Sequence, residues 1–259
     1  MTRAGTPRFL FRAFRARYRD QRSEIRALRE GLRAGDLAVD VGANKGAYTW
    51  WMRRAVGKSG RVVAFEPQPE LAAYLRAVTA AMGWANVMIR EAAASDRTGR
   101  ATLRVPGDGP SPGASLESAA VAHAGREIPC ATERLDDALA AAGRVALVKV
   151  DVEGHELAVF RGAAGILARD RPVLLFECEA RHLTGGAPSE VFDFLAGLGY
   201  SGSFFAPGGP RPLAEFDAAI HQRRGPGRFW KAPGYVNNFL FRATPEASSV
   251  FRTDEEVGT

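Results

Sequence analysis

The sequence contains few cysteines and no long apolar run. Among its 259 residues are two cysteines, Cys130 and Cys178, and their separation does not match the spacing of a metal site. Two distant thiols are typical of a reducing compartment, so we expect a cytoplasmic protein. No stretch approaches the roughly 20 apolar residues of a membrane-spanning helix. The Arg-studded start also lacks the uninterrupted apolar run of a signal peptide.

Positive charge is concentrated at the start of the chain. Residues 1–33 contain ten Arg and three acidic residues, a net charge of +7, whereas the whole chain carries +6. The remaining body is therefore close to neutral, which argues against a nucleic-acid-binding core. Apolar residues at near-helical spacing predict a basic amphipathic helix over 1–33. We favour a helix packed on the domain; an anionic membrane, a nucleic acid, an acidic partner or a homodimer contact are the alternatives.

Apolar runs that predict strands alternate with segments that predict helices. The first three runs are LAVDV, RVVAFEP and NVMIREAAAS, and a helical segment separates each from the next. This βαβαβ order predicts an α/β fold with a parallel, doubly wound sheet. Further strands are predicted for RATLRVP, VALVKV, RPVLLFECE, YSGSFF and VNNFLFR. We expect one domain over residues 34–243 and a loose tail over 244–259.

A Gly-rich turn follows the first predicted strand and departs from two phosphate-binding patterns. The dinucleotide pattern G-x-G-x-x-G needs a glycine where this chain has Asn44. This argues against an NAD-dependent oxidoreductase, which is the first alternative function. The P-loop pattern needs Ser or Thr directly after its Lys, whereas Gly46 follows Lys45.

S-adenosylmethionine suits the turn better, because it has an ammonium, a carboxylate and a ribose diol but no phosphate. Asp40 can balance the ammonium, and the N–H groups of the turn and helix start can hold the carboxylate. Glu66 ends the second predicted strand, where a carboxylate can accept hydrogen bonds from both ribose hydroxyls. A purely structural role as turn caps is the alternative for both acids.

Six sequence blocks resemble, in order, those of the FkbM-type S-adenosylmethionine-dependent methyltransferases. They are DVGANKGAYT, AFEPQPE, IREAAASDRTG, ERLDD, LVKVDVEGHELAVFRGA and LLFECE. The resemblance extends over roughly residues 36–179 and implies a class I methyltransferase (Rossmann-like) fold, a seven-stranded, mostly parallel sheet with its last strand inserted antiparallel. It implies O-methylation of a sugar or secondary metabolite, such as a glycoside or polyketide-like compound. The cofactor-binding positions it implies are Asp40, Gly42, Asn44, Gly46, Thr49, Glu66, Ala92 and Ala93.

The fourth core strand, VALVKV, ends in an unusually acidic stretch, DVEGHE. Methyl transfer to a hydroxyl requires an aligned oxygen and a group that takes its proton. The catalytic candidates are Asp151, Glu153 and His155, with Asp151 preferred as the base and His155 next. Glu177 and Glu179 end the neighbouring strand and join this acidic group. Mg²⁺ held by these acids is the less favoured alternative, because His155 offers a metal-free route, and we assign no metal ligand.

The methyl acceptor is expected to bind to the parts of the chain that are least similar to the family. These are the loop Pro106–Glu127, the turn Arg181–Pro188 and the segment Ala206–Gly234. A loop as long as the first is more often functional than idle. A methyltransferase-like protein that binds nucleic acid is the second alternative function, supported by the basic start and opposed by the neutral body.

Overall fold

A computed structural model of the protein describes residues 5–15, 21–117, 125–183 and 186–244. Parts of several predicted regions lie outside the described residues. They are residues 1–4 and 16–20 of the basic start, 118–124 of the long loop, 184–185 of the acceptor turn and 245–259 of the predicted tail.

The described strands form an eight-stranded sheet and a three-stranded sheet. The large sheet contains β1 (Leu37–Val41), β2 (Arg61–Phe65), β3 (Val87–Arg90), β7 (Val145–Val150), β8 (Val173–Glu177), β9 (Tyr200–Ala206), β10 (Gly209–Pro212) and β11 (Asn238–Ala243). The small sheet contains β4 (Ala93–Ala94), β5 (Gly99–Pro106) and β6 (Gly125–Glu133).

The large sheet confirms the predicted α/β class and corrects the strand count. Its order is β10-β9-β11-β8-β7-β1-β2-β3, and β11 runs antiparallel between β8 and β9. Without β10, the sheet has the seven strands that the family resemblance implies. The eighth, β10, pairs antiparallel with β9 at the sheet edge. Its Pro210 and Pro212 cannot donate ladder hydrogen bonds, which suits an edge position.

The small sheet replaces part of the predicted long loop. β6 begins at Gly125, inside the Pro106–Glu127 segment, and pairs with β5 along its whole length. Local composition there favours a loop, but the antiparallel partner strand, which lies far along the chain, satisfies the backbone of β6. The small sheet also includes Ala93, one of the predicted cofactor residues.

The described helices cover both faces of the large sheet. They are α1 (Gly5–Arg15), α2 (Arg22–Gly31), α3 (Ala47–Val56), α4 (Pro69–Ala81), α5 (Leu135–Ala138), α6 (Glu156–Arg161), α7 (Ala164–Asp170), α8 (Pro188–Gly197) and α9 (Ala218–His221). Adjacent strand residues belong to opposite cores: Ala38 packs with α1–α3, and Val39 packs with α6–α8. This alternation is the period of two that a strand buried on both faces imposes.

The basic start is not one continuous helix. Gln21 has φ −142° and ψ 48°, outside the helical region, and separates α2 from the residues before it. Phe9, Ile25 and Leu28 are fully buried in the core above α3, and Trp51 Nε1 donates to the Ala13 carbonyl at 2.8 Å. Burying each large apolar side chain contributes about 1.5–3 kcal/mol. The segment therefore packs on the domain, as the favoured interpretation requires.

Candidate active site

One cleft lies at the carboxyl ends of β1, β2, β7 and β8 and has about 830 Å³ of empty space. This space includes the part of the cleft that is open to solvent. Eight of the eleven residues predicted from the sequence line it, namely Gly42, Asn44, Glu66, Ala92, Ala93, Asp151, Glu153 and His155. The other three, Asp40, Gly46 and Thr49, do not line the cleft and lie within or next to the turn after β1. The cleft thus brings the predicted cofactor and catalytic groups together.

The turn after β1 requires the glycine at position 42. Gly42 has φ 74°, and a Cβ atom there would lie 1.8 Å from the Asp151 carbonyl oxygen. The ends of β1 and β7 therefore touch at this point. Asn44 also has a left-handed backbone, with φ 48°, a conformation that asparagine tolerates better than most residues. Its N–H group donates a hydrogen bond to Glu66, which directly follows β2.

Asp40 lies beneath the turn rather than on the cleft surface. Its side chain is completely buried, Thr49 Oγ1 donates to Oδ2 at 2.5 Å, and Lys149 Nζ is 3.7 Å from Oδ1. Burial raises the pKa of Asp40, and the Lys149 charge and the Thr49 hydrogen bond act in the opposite direction. This geometry favours support of the turn. Contact between Asp40 and a ligand ammonium stays a prediction.

Gly46 acts by packing. It has φ 75°, and a Cβ atom would approach a Leu75 methyl to 2.7 Å and the Phe9 ring to 3.2 Å. The turn after β1 is thus in close contact with both α4 and α1. A side chain at position 46 would clash with Leu75 and crowd Phe9.

Glu66 is a buried carboxylate whose orientation is set by the backbone. Oε2 accepts the Asn44 N–H at 2.7 Å, and Oε1 accepts the Gln68 N–H at 3.0 Å. Gln68 Nε2 also donates to Oε1, at 3.3 Å, so Oε2 is the oxygen that retains a lone pair for a ligand hydroxyl. Burial raises the pKa of Glu66 to about 7, against the hydrogen bonds that lower it.

Gln68 is a cleft residue that the sequence did not single out. Its Nε2 donates to the Ser111 carbonyl at 3.0 Å, and the Ser111 N–H donates to Oε1 at 2.9 Å. This pair of hydrogen bonds holds the described part of the long loop over the cleft, where Pro112, Ala114, Ser115 and Leu116 line the wall. The role of Gln68 could not be predicted from the sequence, because its partner Ser111 is 43 residues away.

Asp151 ends β7 and is 29% exposed, facing the cleft. Lys149 Nζ lies 3.2 Å from its Oδ2 and 3.3 Å from the Gly42 carbonyl oxygen. Lys149 is a second residue that the sequence did not single out. The sequence offered one indication of its role, a single Lys within the apolar run VALVKV. Because charged residues are rarely buried unless they are paired, a Lys in a buried strand indicates a buried acidic partner.

Glu153 is held by two neighbours. His182 Nδ1 lies 3.0 Å from its Oε2, and Ser115 Oγ donates to its carbonyl oxygen at 2.6 Å. The backbone of Glu153 is left-handed, with φ 56°. Glu153 is therefore paired with His182, as Asp151 is paired with Lys149.

His155 lies between a hydroxyl and a carboxylate. Its Nε2 is 2.9 Å from Ser95 Oγ, and its Nδ1 is 2.7 Å from Glu117 Oε1. The hydrogen bond with His155 lowers the pKa of Glu117. A carboxylate that binds one ring nitrogen orients the imidazole and favours a proton on that nitrogen. Ser95 and Glu117 could not be associated with His155 from sequence, because they are 60 and 38 residues away.

Glu177 and Glu179 end β8 but differ in environment. Glu177 lines the cleft and accepts Asn237 Nδ2 at 2.8 Å; burial and then the nearby Asp151 charge raise its pKa well above the usual range. Glu179 accepts Arg181 Nε at 2.6 Å and also binds Tyr235. Although burial acts to raise it, these hydrogen bonds lower the pKa of Glu179 to about 2. The two pKa values are thus shifted in opposite directions, upward for Glu177 by burial and downward for Glu179 by its hydrogen bonds.

The described parts of the other two predicted acceptor segments do not line this cleft. They contact residues next to the cleft instead. His182 and Arg181 of the first segment contact Glu153 and Glu179, and Gln222 Nε2 of the second donates to the Cys178 carbonyl oxygen at 2.7 Å. Within the described ranges, no group of three or more His, Cys, Asp and Glu side chains is arranged to hold a metal ion. No helix among the described residues is long and apolar enough to cross a bilayer.

The sheet order, with antiparallel β11 inserted beside β8 and a ligand-sized cleft at the Gly-rich turn after β1, defines a class I methyltransferase fold. The Methyltransferase FkbM domain family matches residues 40–201, more than half of the chain. The protein therefore belongs to the FkbM-type S-adenosylmethionine-dependent methyltransferases, and the resemblance found in the sequence is confirmed.

A solved structure of methyltransferase FkbM from Methylobacillus flagellatus is similar, with a TM-score of 0.50 and 16% identity. The alignment covers 80% of this chain and 43% of that one, and at this identity it supports the fold alone. The tRNA (adenine(57)-N(1)/adenine(58)-N(1))-methyltransferase of Methanocaldococcus jannaschii is 40% identical over 48 residues, 18% of this chain and 17% of its own length. Protein-L-isoaspartate O-methyltransferase 2 of Archaeoglobus fulgidus is 41% identical over 58 residues, 22% and 26% of the two chains. The chain thus spans only a small part of these two relatives.

Proposed function

We propose that the protein transfers a methyl group from S-adenosylmethionine to a hydroxyl oxygen of a small molecule, a sugar or a secondary metabolite such as a glycoside or polyketide-like compound. The observation that carries the proposal is the shared cleft. Its wall contains Gly42 and Glu66, which suit the cofactor, and Asp151 and His155, which suit proton removal from a hydroxyl.

The residues present fit the cofactor. Glu66 has a fixed orientation and a spare lone pair on Oε2 for a ribose hydroxyl, and Oε1 can accept the second hydroxyl in place of Gln68 Nε2, its longer contact at 3.3 Å. Ala92 and Ala93 provide a small apolar wall for the adenine. When bound, S-adenosylmethionine supplies an electrophilic methyl group, so the protein does not need to activate the donor. The glycine at 42 lets β1 and β7 approach closely enough to form one continuous site.

Asp151 is the residue best suited to take the acceptor proton. It faces the cleft, and Lys149 fixes one of its oxygens, which leaves Oδ1 toward other partners. The new bond joins the hydroxyl oxygen to the methyl carbon, the carbon–sulfur bond breaks, and the hydroxyl proton passes to the carboxylate. S-adenosylhomocysteine is the other product. His155, held between Ser95 and Glu117, is the second choice for the base.

The oxidoreductase and the nucleic-acid-binding protein are not favoured. The dinucleotide pattern requires glycine at the position of Asn44, and the Asn44 N–H is already bound to Glu66 Oε2. No Lys or Arg among the described residues lines this cleft, which offers no cation to a phosphate backbone.

A titration of the purified protein with S-adenosylhomocysteine and with NAD tests the cofactor assignment. We expect saturable binding of the first and none of the second. An acceptor panel with a radiolabelled methyl donor then tests the acceptor class, with sugars, glycosides, polyketides, amines and carboxylic acids as its arms. Labelling of amines or carboxylates, with no hydroxyl compound labelled, would reject O-methylation of a hydroxyl while leaving the family assignment intact.

We propose the cytoplasm as the location, because Cys130 and Cys178 are both buried and unpaired. The proposed catalytic domain extends over residues 34–243, with the basic start joined to it through the buried contacts of α1 and α2. The test is alkylation, without prior reduction, of the denatured protein isolated from its source. If this location is correct, mass spectrometry should detect two alkylated cysteines.

A further inference from the structure

The charge of the chain is separated between two parts of the fold. Residues 1–58, which include α1, α2 and α3, contain 14 basic and five acidic residues, a net charge of +9 in a chain of +6. The rest of the chain therefore carries −3. The acidic cleft lies in the negative part, and the three helices pack together outside the sheet on the positive part.

Several exposed bases lie on these helices. The Arg29 guanidinium lies 5.9 Å from the Trp51 ring centre, and that of Arg54 lies 5.6 Å from the Trp50 ring centre. These aromatic partners carry no negative charge, whereas the exposed Arg26 pairs with Glu30. Arg22 and Lys58 are also exposed. The bases Arg22, Arg29, Arg54 and Lys58 belong to α2, to α3 and to the turn after α3, within the layer in which α1 and α2 pack on α3.

Apolar side chains are exposed in the same layer of helices. Phe11, on α1, is 68% exposed, whereas Phe9 on the same helix is buried. Phe14 is 42% exposed and packs edge-on against the Trp51 ring, with 5.7 Å between the ring centres. Four large apolar side chains are exposed among the described residues, and two of them are therefore on this one helix. An exposed Phe costs free energy in water, and a basic surface with protruding aromatic side chains suits a lipid headgroup layer.

We propose that this surface, defined by Phe11, Arg22, Arg29, Arg54 and Lys58 and named the basic face, docks on an anionic lipid bilayer. Its bases neutralise headgroup phosphates and carboxylates, and Phe11 enters the boundary of the acyl chains. A nucleic acid is the weaker occupant, because single-strand binding uses several aromatic rings along a charged groove. The bases here lie on α2, on α3 and on the turn after α3 rather than along one groove. This inference is independent of the proposed methyl transfer.

Vesicle flotation of the full-length protein tests the proposal. We expect binding to phosphatidylcholine vesicles that contain about 30 mol% phosphatidylserine at about 0.1 M salt, and little binding at about 0.5 M salt or to phosphatidylcholine alone. Equal binding to neutral and anionic vesicles, or no binding to either, would overturn the proposal. This measurement needs no variant, so it does not depend on how a substitution folds.

A charge-matched pair of variants localises the contact. Arg29→Glu/Arg54→Glu should weaken vesicle partitioning by about 30-fold or more, since each base near the surface contributes roughly fivefold. The control Arg223→Glu/Arg228→Glu makes the same change in net charge at exposed positions far along the chain and should bind as wild type. Phe11→Ser should weaken binding without changing its salt dependence.

The outcomes separate the possible occupants. Equal losses in the two double variants would show a general charge effect and refute the basic face. The proposal would also be refuted if a duplex or single-stranded oligonucleotide bound the wild-type protein more tightly than the vesicles do and bound Arg29→Glu/Arg54→Glu more weakly. Affinity for S-adenosylhomocysteine, measured on each variant, confirms that the domain is folded and should remain within about twofold of wild type, because these substitutions are outside the cleft.

Discussion

The ammonium group of Lys149 lies 3.2 Å from Asp151 Oδ2 in a side chain that is almost entirely buried. The same ammonium is 3.7 Å from Asp40 Oδ1. Although burial acts to lower it, the charges of Asp151 and Asp40 raise the pKa of Lys149. One buried cation therefore joins the proposed base at the end of β7 to the acid beneath the cofactor turn.

Replacement of Lys149 by Met should destabilise the fold. It leaves the completely buried Asp40 without its cation, and loss of one partner of a buried ion pair costs about 3–5 kcal/mol. Urea unfolding followed by circular dichroism measures the change. Adding Asp40→Asn should restore part of the lost stability, because a neutral amide needs no cation. A Lys149→Met protein as stable as wild type would refute this account.

Glu66→Ala should weaken binding of S-adenosylhomocysteine by about 10- to 150-fold, the effect of losing charge-assisted hydrogen bonds worth about 1.5–3 kcal/mol. It also removes the acceptor of the Asn44 N–H. The matched control is Glu70→Ala, an exposed acid four residues away that pairs with Arg126. Calorimetry should find control affinity close to wild type. Equal affinities for both variants would remove Glu66 from the site.

Binding of S-adenosylhomocysteine should weaken in acid. Burial raises the pKa of Glu66 to about 7 in the free protein, whereas a carboxylate that accepts two ligand hydroxyls is favoured in its ionised form. As the pH falls through about 7, the protonated fraction grows, and the dissociation constant should rise up to tenfold per pH unit. Calorimetry between about pH 5.5 and 8.5 measures the slope. Glu66→Gln should bind weakly with little slope; a slope equal to that of wild type would assign the proton elsewhere.

Asp151→Asn should retain S-adenosylhomocysteine binding and lose most methyl transfer. The amide keeps the shape of the side chain, but it cannot take the acceptor proton, and loss of a general base typically costs about 10²–10⁴-fold in rate. The assay compares kcat with an acceptor from the panel. Wild-type turnover in the variant would contradict the assignment and direct attention to His155.

The same assay distinguishes a base from a metal ligand at Asp151. If Asp151 acts as the base alone, EDTA should leave the wild-type rate unchanged. If it holds Mg²⁺, EDTA should abolish the rate and added Mg²⁺ should restore it. Asp193→Asn, an exposed change on α8, is the control that should behave as wild type in both conditions.

The features that the sequence predicted well depend on local physics. Strand and helix order follows from apolar periodicity, so the βαβαβ core was predictable. The turn at Gly42 follows from a backbone that only glycine tolerates there, and Glu66 follows from its position at the end of β2. Parallel strands bring their carboxyl ends to one edge, which is why Asp151 and Glu66 could be expected in one site.

Strands and burial that the local sequence did not indicate were decided by the tertiary structure. β6 and β10 carry weak local signals, and each forms because the strand that precedes it pairs with it antiparallel and satisfies its backbone. The basic start shows an amphipathic pattern in sequence, but only packing buries Phe9 while leaving Phe11 exposed. A hydrophobic pattern indicates which side chains can be buried, and the available partner surface selects those that are.

The sequence by itself determined the class of fold, the Gly-rich turn after β1 and the acidic stretch after β7, because each is encoded within a few neighbouring residues. The tertiary structure decided that Lys149 bridges Asp40 and Asp151, that His155 lies between Ser95 and Glu117, and that Gln68 anchors the loop at Ser111. A buried charge or polar group is stable only where folding supplies its partner. Since those partners lie up to 109 residues away along the chain, as Lys149 and Asp40 do, only the folded chain could reveal them.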